Sequence, residues 1–505
     1  MAELHFSYKH SGIAGCAVLG LLLFLSSISS RLPAQDESRR EVVGIPQQEA
    51  PPAVKAIASI DKTNFAFLNE RGQVGFAKFS PGLSLIGWEL YSNVQQQINP
   101  ALTIGKNLSI ITAGYNELTQ AFDTDEDARL DFYQALAREW PGSNAGVTIT
   151  AGPISDGSGL IYFALSSFPL KPDSPAEAMV MAWNPATKEI QPVTRSQLPV
   201  TAMSISQDGI LAALLELPSF KDGYYVSLTE LPRPLEVPEE KPEVKTPVPA
   251  PAPASPESVK EEGDAPKEGA KTEEGDSSEG SEKADAPKES TEETPPVPVP
   301  VPVPVELPMT LPSLFIPSEL AGEVPPSDLC FVEDSDTTRL IVTCPSTQRL
   351  IEATPEKRGL MWQGSIVLRE TTEAVIETVC AAGDGRILGG GPTGFYPIAE
   401  SNDSFRIKAM RLRKDAIELD FTHPVDRFSG IKPETFLVSL VSLQGGVETK
   451  LQIPQPVVES DGFTVILPTR ELATNSILRV KCPDLQSETG DSLLLPNVYY
   501  NIHGL

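Results

Sequence analysis

Short strand-like segments recur along this chain, each following a polar turn. Four examples are SDGSGLIYFALSS at 155–167, SQDGILAALLE at 206–216, EDSDTTRLIVTCP at 333–345 and AAGDGRILGGGP at 381–392. Between the first two, AMVMAWNPATKEIQPVT forms a strand, a turn and an outgoing strand. This rhythm is typical of propeller blades of roughly 40 to 45 residues. The sequence therefore predicts an all-β fold, with about six blades shared between 57–232 and 313–400.

One tract, 233–312, separates these two parts. It holds 18 of the 48 prolines and 19 acidic residues against 8 basic ones, and it contains no Phe, Trp, Tyr or Ile. Because such a segment buries too little apolar surface to offset its ordering entropy, we expect a disordered Pro/Glu-rich insertion between blades. A long loop adds little closure entropy, so one propeller can accommodate it. The alternative is two separate β-sandwich domains joined by a linker.

The charge balance restricts the partners. The 505-residue chain has 40 Lys and Arg against 68 Asp and Glu, a formal net charge of −28. This excess argues against binding to nucleic acid or to anionic lipid. An envelope protein or a glycan is compatible with it.

The first 34 residues have the pattern of a signal peptide. Lys9 precedes an uncharged apolar run from Gly12 to Ser30, and small residues lead to a cleavage position after Ala34. We expect an exported protein of the periplasm, cell envelope or extracellular space, with a flexible segment at 35–56. Contact with a membrane is expected only if the leader is uncleaved and anchors the chain.

Four cysteines follow the leader: Cys330, Cys344, Cys380 and Cys482. An even number in an exported chain is compatible with disulfides, and buried free thiols are the alternative. No CxxC or CxxCH spacing occurs, so a structural zinc site and a c-type haem lack their ligands.

One acidic segment, FDTDEDARLDFYQALAREW at 122–140, differs from the strand units. Its apolar spacing predicts a short helix after an acidic loop. Four aspartates fall in the first, third, fifth and ninth places of an EF-hand-like register, which makes calcium a candidate cofactor: Asp123, Asp125, Asp127 and Asp131. Ala128 stands where the loop needs Gly and Gln134 where it needs Glu, so the alternative is an acidic helix start stabilised by the helix dipole.

The last part, 403–505, contains successive short strands such as AIELDFTHPVD and DGFTVILP. Its length suits an immunoglobulin-like β-sandwich. His423 lies at a predicted turn and His503 in a predicted frayed end. The other two histidines, His5 and His10, belong to the leader. No metal site can be assembled from the two that remain.

Several of these segments together resemble exported propeller proteins abundant in planctomycetes and related bacteria, often labelled membrane-bound or sorbosone-type dehydrogenases. FDTDEDARLDFYQAL is similar to that family's D-x-D-G-D-G-x-A-D segment, and PISDGSGLIYFALSS to its G-P-D-G-x-L-Y strand. MWQGSIVLR and GDGRILGGG look like a later blade, and AIELDFTHPVD with NVYYNIHGL looks like its closing sandwich. The resemblance implies a propeller with an immunoglobulin-like domain and a quinone-dependent sugar or alcohol dehydrogenase activity.

This chain departs from the family at the residues that carry the chemistry. The resemblance implies a histidine base in the central funnel, yet no histidine lies between Gln35 and Glu400. Serine or cysteine nucleophiles also lack a propeller histidine as partner. GGGPTG at 389–394 follows a strand without a helix signal after it, which favours a tight turn over a phosphate-binding loop.

Three functions are compatible with these features. The first is a non-catalytic scaffold or binding protein of the cell envelope, a degenerate relative of the dehydrogenases. The second is a quinone-dependent dehydrogenase that lacks its own haem and passes electrons to a separate cytochrome. The third is a carbohydrate-binding surface module that would use exposed tryptophans among Trp88, Trp140, Trp183 and Trp362, although a blade core is the alternative place for them.

Overall fold

A computed structural model describes the larger part of the chain. The described residues are 50–92, 98–105, 109–114, 117–122, 130, 132–138, 140, 147–166, 178–216, 223–231, 311–333, 337–398, 404–443, 446–470 and 472–504. The predicted leader and nearly all of the proline-rich tract lie outside these residues. Among the described residues, no helix is both long and apolar enough to cross a membrane.

Six antiparallel sheets follow one another along the described chain, and each uses its strands in sequential order. Blades 1 to 5 have four strands each, and blade 6 has three. Blade 1 comprises β1 Val54–Ser59, β2 Asn64–Asn69, β3 Val74–Phe79 and β4 Leu85–Leu90; blade 2 comprises β5 Ile98–Ile104, β6 Ile110–Gly114, β7 Leu118–Phe122 and β8 Phe132–Ala137; blade 3 comprises β9 Ile149–Ser155, β10 Ile161–Leu165, β11 Ala178–Asn184 and β12 Glu189–Ser196. Blade 4 comprises β13 Val200–Ile205, β14 Ile210–Leu215, β15 Gly223–Glu230 and β16 Pro312–Pro317; blade 5 comprises β17 Asp328–Glu333, β18 Thr338–Cys344, β19 Arg349–Arg358 and β20 Met361–Thr371; blade 6 comprises β21 Thr378–Ala381, β22 Ile387–Gly391 and β23 Gly394–Ile398.

The first strands of these blades form a ring. Each lies beside the first strand of the next blade, and β21 of blade 6 lies beside β1 of blade 1. The predicted all-β propeller of about six blades is therefore confirmed. Its first strand begins at Val54, close to the expected start at 57.

Polar turns introduce the blade strands as the sequence indicates. In the turn before β14, the Gly209 amide donates to the Ser206 carbonyl at 3.0 Å and the Ser206 hydroxyl accepts from the Ile210 amide at 2.9 Å. Gly209 has φ 80°, a backbone conformation that favours glycine. The GGGPTG segment likewise forms the tight turn of a hairpin, in which Gly391 pairs with Gly394 between β22 and β23.

Apolar side chains fill the space between neighbouring blades, so both faces of many strands are buried. Every residue of β10 is buried, which explains its unbroken apolar run. The same packing closes the ring, where Phe395 of blade 6 meets Phe67 and Phe79 of blade 1 edge to face at 5.1 and 5.4 Å. The Arg386 guanidinium of blade 6 also donates to the carbonyls of Lys62 and Pro81 in blade 1.

The proline-rich insertion interrupts blade 4, whereas the sequence predicts it between blades. Strand β15 precedes the insertion and β16 follows it, yet the two pair along their length, from Gly223 with Pro317 to Ser227 with Pro312. The expectation was wrong because the short run at 312–317 completes a blade whose other strands lie far back in the sequence. The parts of the propeller before and after the insertion therefore both contribute strands to blade 4.

The predicted helix within 122–140 is also wrong. Phe132–Ala137 forms β8, the outer strand of blade 2, and pairs with β7. Tyr133 pairs with Ala121, and its hydroxyl is hydrogen-bonded to Ser92. Aromatic residues suit a half-buried outer strand, so the tertiary pairing overrides a helical apolar spacing.

The C-terminal part forms two four-stranded sheets that share one apolar core. One sheet has the order β24-β25-β29-β28 and the other β31-β30-β26-β27. The strands are β24 Ile407–Arg413, β25 Ala416–Phe421, β26 Leu437–Ser442, β27 Glu448–Leu451, β28 Val457–Val458, β29 Thr464–Pro468, β30 Ser476–Lys481 and β31 Asn497–Ile502. Two short helices accompany the strands, α1 Ser318–Ala321 after blade 4 and α2 Arg427–Gly430, with 3₁₀ turns at Pro345–Thr347 and Pro433–Thr435.

The sandwich and the propeller share a sheet. Strand β31 pairs with β20 of blade 5, from Gly364 with Asn501 to Val367 with Val498, so these two parts form one eight-stranded sheet. The chain end is held in place by this pairing. His503 Nε2 lies 2.8 Å from the Ser313 carbonyl oxygen, so the predicted fraying of this residue is wrong.

Candidate functional site

The six first strands enclose a central channel, which forms a cavity of about 770 Å³. Its wall contains side chains from every blade, for example Ile57, Thr103, Thr150, Met203 and Val379. Most of the lining residues are small, hydroxylated or apolar. Three charged residues lie among the described residues of the wall: Lys55, Asp328 and Glu377.

Lys55 and Glu377 form an ion pair across the junction that closes the ring. Lys55 Nζ donates to Glu377 Oε2, and both side chains are about one-third exposed. The Ser327 hydroxyl donates to the Glu377 carbonyl oxygen at 2.6 Å, which adds blade 5 to the same contact. This ion pair therefore holds the Lys55 and Glu377 side chains in contact with each other.

Asp328 begins β17 and is held by three donors. Its Oδ2 accepts from Thr378 Oγ1 at 2.7 Å and from the Val379 amide at 3.0 Å, and its Oδ1 accepts from the Leu329 amide at 2.8 Å. Burial raises the pKa of this carboxyl to about 6, although the three donors act in the opposite direction. A carboxyl with such a pKa can accept a proton near neutral pH.

Two cysteines also lie on the channel wall. Cys330 packs between blades 5 and 6, whereas Cys380 packs between blades 6 and 1. Burial raises the pKa of the Cys330 thiol well above its usual range and that of Cys380 to about 12. Both thiols are therefore protonated at neutral pH and are weak nucleophiles.

All four described cysteines are free thiols, so the sequence's two alternatives, disulfides or buried free thiols, resolve to free thiols. Each lies in a different apolar cluster, since Cys344 packs between blades 4 and 5 and Cys482 in the sandwich. Cys380 is nevertheless near enough to Cys330 to help raise the pKa of the Cys330 thiol, and both remain free thiols.

The two described histidines lie away from the first strands. His423 Nδ1 is 3.1 Å from the Thr422 hydroxyl in the sandwich, and its ring stands edge-on to Phe405. His503 contacts Ser313 of β16. Neither residue is among the described side chains that line the channel.

The proposed calcium ligands Asp123, Asp125, Asp127 and Asp131 lie outside the described residues, and that site stays a prediction. Among the residues that are described, no group of three or more His, Cys, Asp or Glu side chains could hold a metal ion.

The tryptophans divide into two groups. Trp140 and Trp183 are buried in the core between blades 2 and 3, as the blade-core alternative predicts. Trp88 and Trp362 are half-buried. Lys357 Nζ lies over the Trp362 ring at 5.9 Å from its centroid.

Sequence reasoning missed the three charged residues of the channel. Asp328 comes directly before the buried run LCFV, and Glu377 directly before β21. A charged residue at the start of a blade's first strand is the sequence pattern by which Asp328 and Glu377 could have been predicted. Lys55 lies in the segment for which the sequence predicts flexibility.

No family model matches this chain, and no curated protein matches it. Among solved structures, a putative oxidoreductase (glucose dehydrogenase) from Thermus thermophilus is 12% identical with a TM-score of 0.37, over 68% of this chain and 90% of that one. The quinone domain of pyranose dehydrogenase from Coprinopsis cinerea is 10% identical with a TM-score of 0.35, over 68% and 91%.

The N-terminal part of the bacterial S-layer protein SbsC is 21% identical with a TM-score of 0.18, over 21% of this chain and 25% of that one. This chain thus spans about a quarter of that protein's length. The two dehydrogenases are propeller enzymes at low identity, and this likeness assigns no activity to the present chain.

Proposed function

We propose that this protein is an exported, non-catalytic β-propeller that acts as a scaffold or binding protein of the cell envelope. The observation that carries the proposal is the charge of the channel wall. Its described charged groups are Lys55, Asp328 and Glu377, and Lys55 is already paired with Glu377. The described part of the wall therefore offers no free cation to an anionic cofactor.

The quinone cofactor of the related dehydrogenases, pyrroloquinoline quinone, is a tricarboxylate and needs positive charge around it. The described wall carries two carboxyl groups and one paired ammonium group, so it does not fit that cofactor. Its two thiols are held protonated by burial. These features favour binding or scaffolding over redox chemistry.

The test is a dye-reduction assay on the purified mature chain with added pyrroloquinoline quinone and Ca²⁺, across a panel of sugars and alcohols. We expect no turnover above that of the heat-denatured protein. The proposal would be overturned if the native chain showed turnover and the Asp328→Asn variant did not.

Asp328 supports the second candidate, a dehydrogenase that lacks its own haem. Its carboxyl lies on the channel wall and its pKa of about 6 suits a general base. The same assay separates the two candidates. A dehydrogenase should show turnover whose rate depends on pH with an apparent pKa, and Asp328→Asn should abolish that turnover.

A carbohydrate-binding module is the third candidate, supported by the partial exposure of Trp88 and Trp362. A glycan array probed with the native chain and with Trp88→Ala or Trp362→Ala tests it. Binding that one substitution removes would support this function, and an array without hits would exclude it for the glycans displayed.

The C-terminal sandwich is proposed to be of the immunoglobulin type. Its strand orders β24-β25-β29-β28 and β31-β30-β26-β27 match the two sheets of that fold when its eight strands are taken in chain order. Such domains present loops for protein contacts, which suits a scaffold. Pull-down of envelope proteins by the native chain, lost when the loops of the sandwich are replaced, would support this role.

A further inference from the structure

The charged residues of the channel wall lie together at one end. Asp328 begins β17, Lys55 is the second residue of β1, and Glu377 comes directly before β21. Lys55 contacts Glu377, and Asp328 accepts from Thr378 at the start of β21, so the starts of these three strands are neighbours. Within the described wall, the residues that end β1, β9 and β13 are uncharged: Ser59, Ser155 and Ile205.

The charged end of the channel carries an excess of negative charge. Lys55 and Glu377 offset each other as an ion pair, which leaves Asp328 as the third charged group of the described wall. Charges attract and repel one another more strongly in a partly enclosed site than in bulk water. An anionic ligand would therefore be repelled at this end, and a cationic one would be attracted.

The Asp328 carboxylate has capacity for a ligand donor. An ionised carboxylate offers about four acceptor positions. The described donors use two on Oδ2, from Thr378 Oγ1 and the Val379 amide, and one on Oδ1, from the Leu329 amide. One position on Oδ1 is left for an N–H group, and such a charge-assisted hydrogen bond is stronger than a neutral one.

The rest of the wall suits a neutral, hydroxylated body. Thr103, Thr150, Thr201 and Ser204 contribute hydroxyl groups to it. Thr150 Oγ1 is buried and has no hydrogen-bond partner, although buried polar atoms usually have one. The cavity of about 770 Å³ is of the size that holds small molecules. Phe331 is the one aromatic residue among the described lining residues, so they form no aromatic cage for a quaternary ammonium group.

We propose that the channel binds a small organic ammonium ion with a hydroxylated body. The ammonium group donates to Asp328 Oδ1 at the charged end, and the hydroxyl groups of the body bond to the wall near Thr150. This inference rests on the proposed binding function and names the class of ligand for the same channel.

Binding of a cation beside Asp328 should release a proton. Burial raises the pKa of this carboxyl to about 6 in the free protein, and a bound ammonium group would lower it. The affinity should therefore rise by about ten-fold from pH 5 to pH 7, as the carboxyl ionises.

The groups around Asp328 leave this proton assigned to its carboxyl. Its hydrogen-bond donors are the uncharged groups of Leu329, Thr378 and Val379. The thiols of Cys330 and Cys380 lie near it, and burial raises the pKa of the first well above its usual range and that of the second to about 12. The remaining charges at this end are those of the Lys55–Glu377 pair.

Isothermal titration calorimetry on the chain that starts at residue 35 tests the proposal with three matched polyols. Glucamine, sorbitol and gluconate differ at one terminal group, which is an ammonium, a hydroxyl and a carboxylate group respectively. We expect glucamine to bind at least ten-fold more tightly than sorbitol, and gluconate not to bind. Equal affinities for glucamine and sorbitol, tighter binding of gluconate, or no binding of glucamine would overturn the inference.

The proton is measured by titrating glucamine at pH 5 and pH 7 in two buffers with different heats of ionisation. Proton release by the native chain requires no variant, and its absence would contradict the proposal. Asp328→Asn should remove both the release and the pH dependence. Asp208→Asn, the same change at an exposed turn of blade 4, should keep both. A folded Asp328→Asn chain that keeps them would also contradict the proposal.

The outcome is distinguishable from failure of the proposed function. Turnover in the dye-reduction assay would overturn the non-catalytic function whatever the channel binds. If no turnover occurs and glucamine binds no better than sorbitol, only the ammonium ligand is overturned.

Discussion

Blades 5 and 6 are neighbours with different outer edges. Blade 5 is extended by β31, a strand from the end of the chain, and so becomes part of an eight-stranded sheet. Blade 6 stops at its third strand within the described residues. The contrast shows that an outer blade edge can be covered by a strand remote in sequence, so blade boundaries cannot be assigned by counting along the chain alone.

The largest loss of stability should follow a substitution in β31, the strand that pairs with the outer edge of blade 5. Tyr500 of β31 is 1% exposed, and its hydroxyl donates to Glu356 Oε2 at 2.8 Å and accepts from Gln363 Nε2 at 3.2 Å. Tyr500→Ala should lower the free energy of unfolding by about 3 to 5 kcal/mol in urea denaturation because it leaves a cavity in a shared core. Tyr500→Phe keeps the ring and should lose about 1 kcal/mol.

The same measurement on blade 6 completes the comparison. Phe395 of β23 is half-buried, so Phe395→Ala should lose less than Tyr500→Ala, about 1 to 2 kcal/mol. A Phe395→Ala loss equal to that of Tyr500→Ala would mean that the two edges are covered to the same extent.

The next effect concerns a charge pair within blade 5. Glu352 Oε2 accepts from Arg369 Nη1 at 2.8 Å, and the two side chains are 2% and 3% exposed. Glu352→Gln removes the countercharge and should lower the free energy of unfolding by about 3 kcal/mol.

The matched control is Glu117→Gln in blade 2. Glu117 pairs with Arg138 at 2.8 Å, but the side chains are 38% and 67% exposed, so the loss should stay below about 1 kcal/mol. Equal losses for the two substitutions would show that the blade 5 pair is hydrated.

A smaller effect is expected at the junction of blades 5 and 6, where Asp328 has a pKa of about 6 against the ordinary 3.8. Between about pH 4 and pH 6 the folded chain holds this proton more tightly than the unfolded chain. The contribution of Asp328 to stability is therefore fully present below pH 4, falls as the pH rises, and levels off above pH 6.

Urea denaturation at pH 4, 5, 6 and 7 measures this contribution. The stability of the native chain relative to Asp328→Asn should fall by about 2 kcal/mol across the series. A pH-independent difference between the two proteins would place the carboxyl in a more hydrated environment.

The smallest expected effect is that of a reductant, which should not change the stability of blades 5 and 6 or of the sandwich. All four described cysteines are free, and burial raises the pKa of Cys344 and Cys380 to about 12. Thiol titration of the unfolded chain that starts at residue 35 should give four thiols with or without reductant, and the free energy of unfolding should not change. A lower thiol count without reductant would reveal a disulfide.

The repeated turn-and-strand units predicted the fold class well because each blade strand is a local element. The Ser206–Gly209 turn and the buried run of β10 are fixed by their own residues. The helix predicted within 122–140 failed because the pairing of β8 with β7 is decided by blade 2 as a whole. Its apolar spacing is compatible with either structure.

The channel could be predicted only in part. The absence of histidine from 35–400 is evident in the sequence and argues against a histidine base. The grouping of Lys55 with Glu377, and of Asp328 with Thr378, depends on which first strands become neighbours. Lys55 and Glu377 are far apart in the chain, and no local pattern relates them.

By itself the sequence determined an all-β chain of short strands, with an acidic, proline-rich tract in its middle. These properties follow from local composition and from turn chemistry, which act over a few residues. Only the tertiary structure decided that the tract interrupts blade 4, that β31 extends blade 5, and that His503 is held by Ser313. Strand pairing between distant residues depends on the closure of the whole ring, and that closure is not encoded in any one segment.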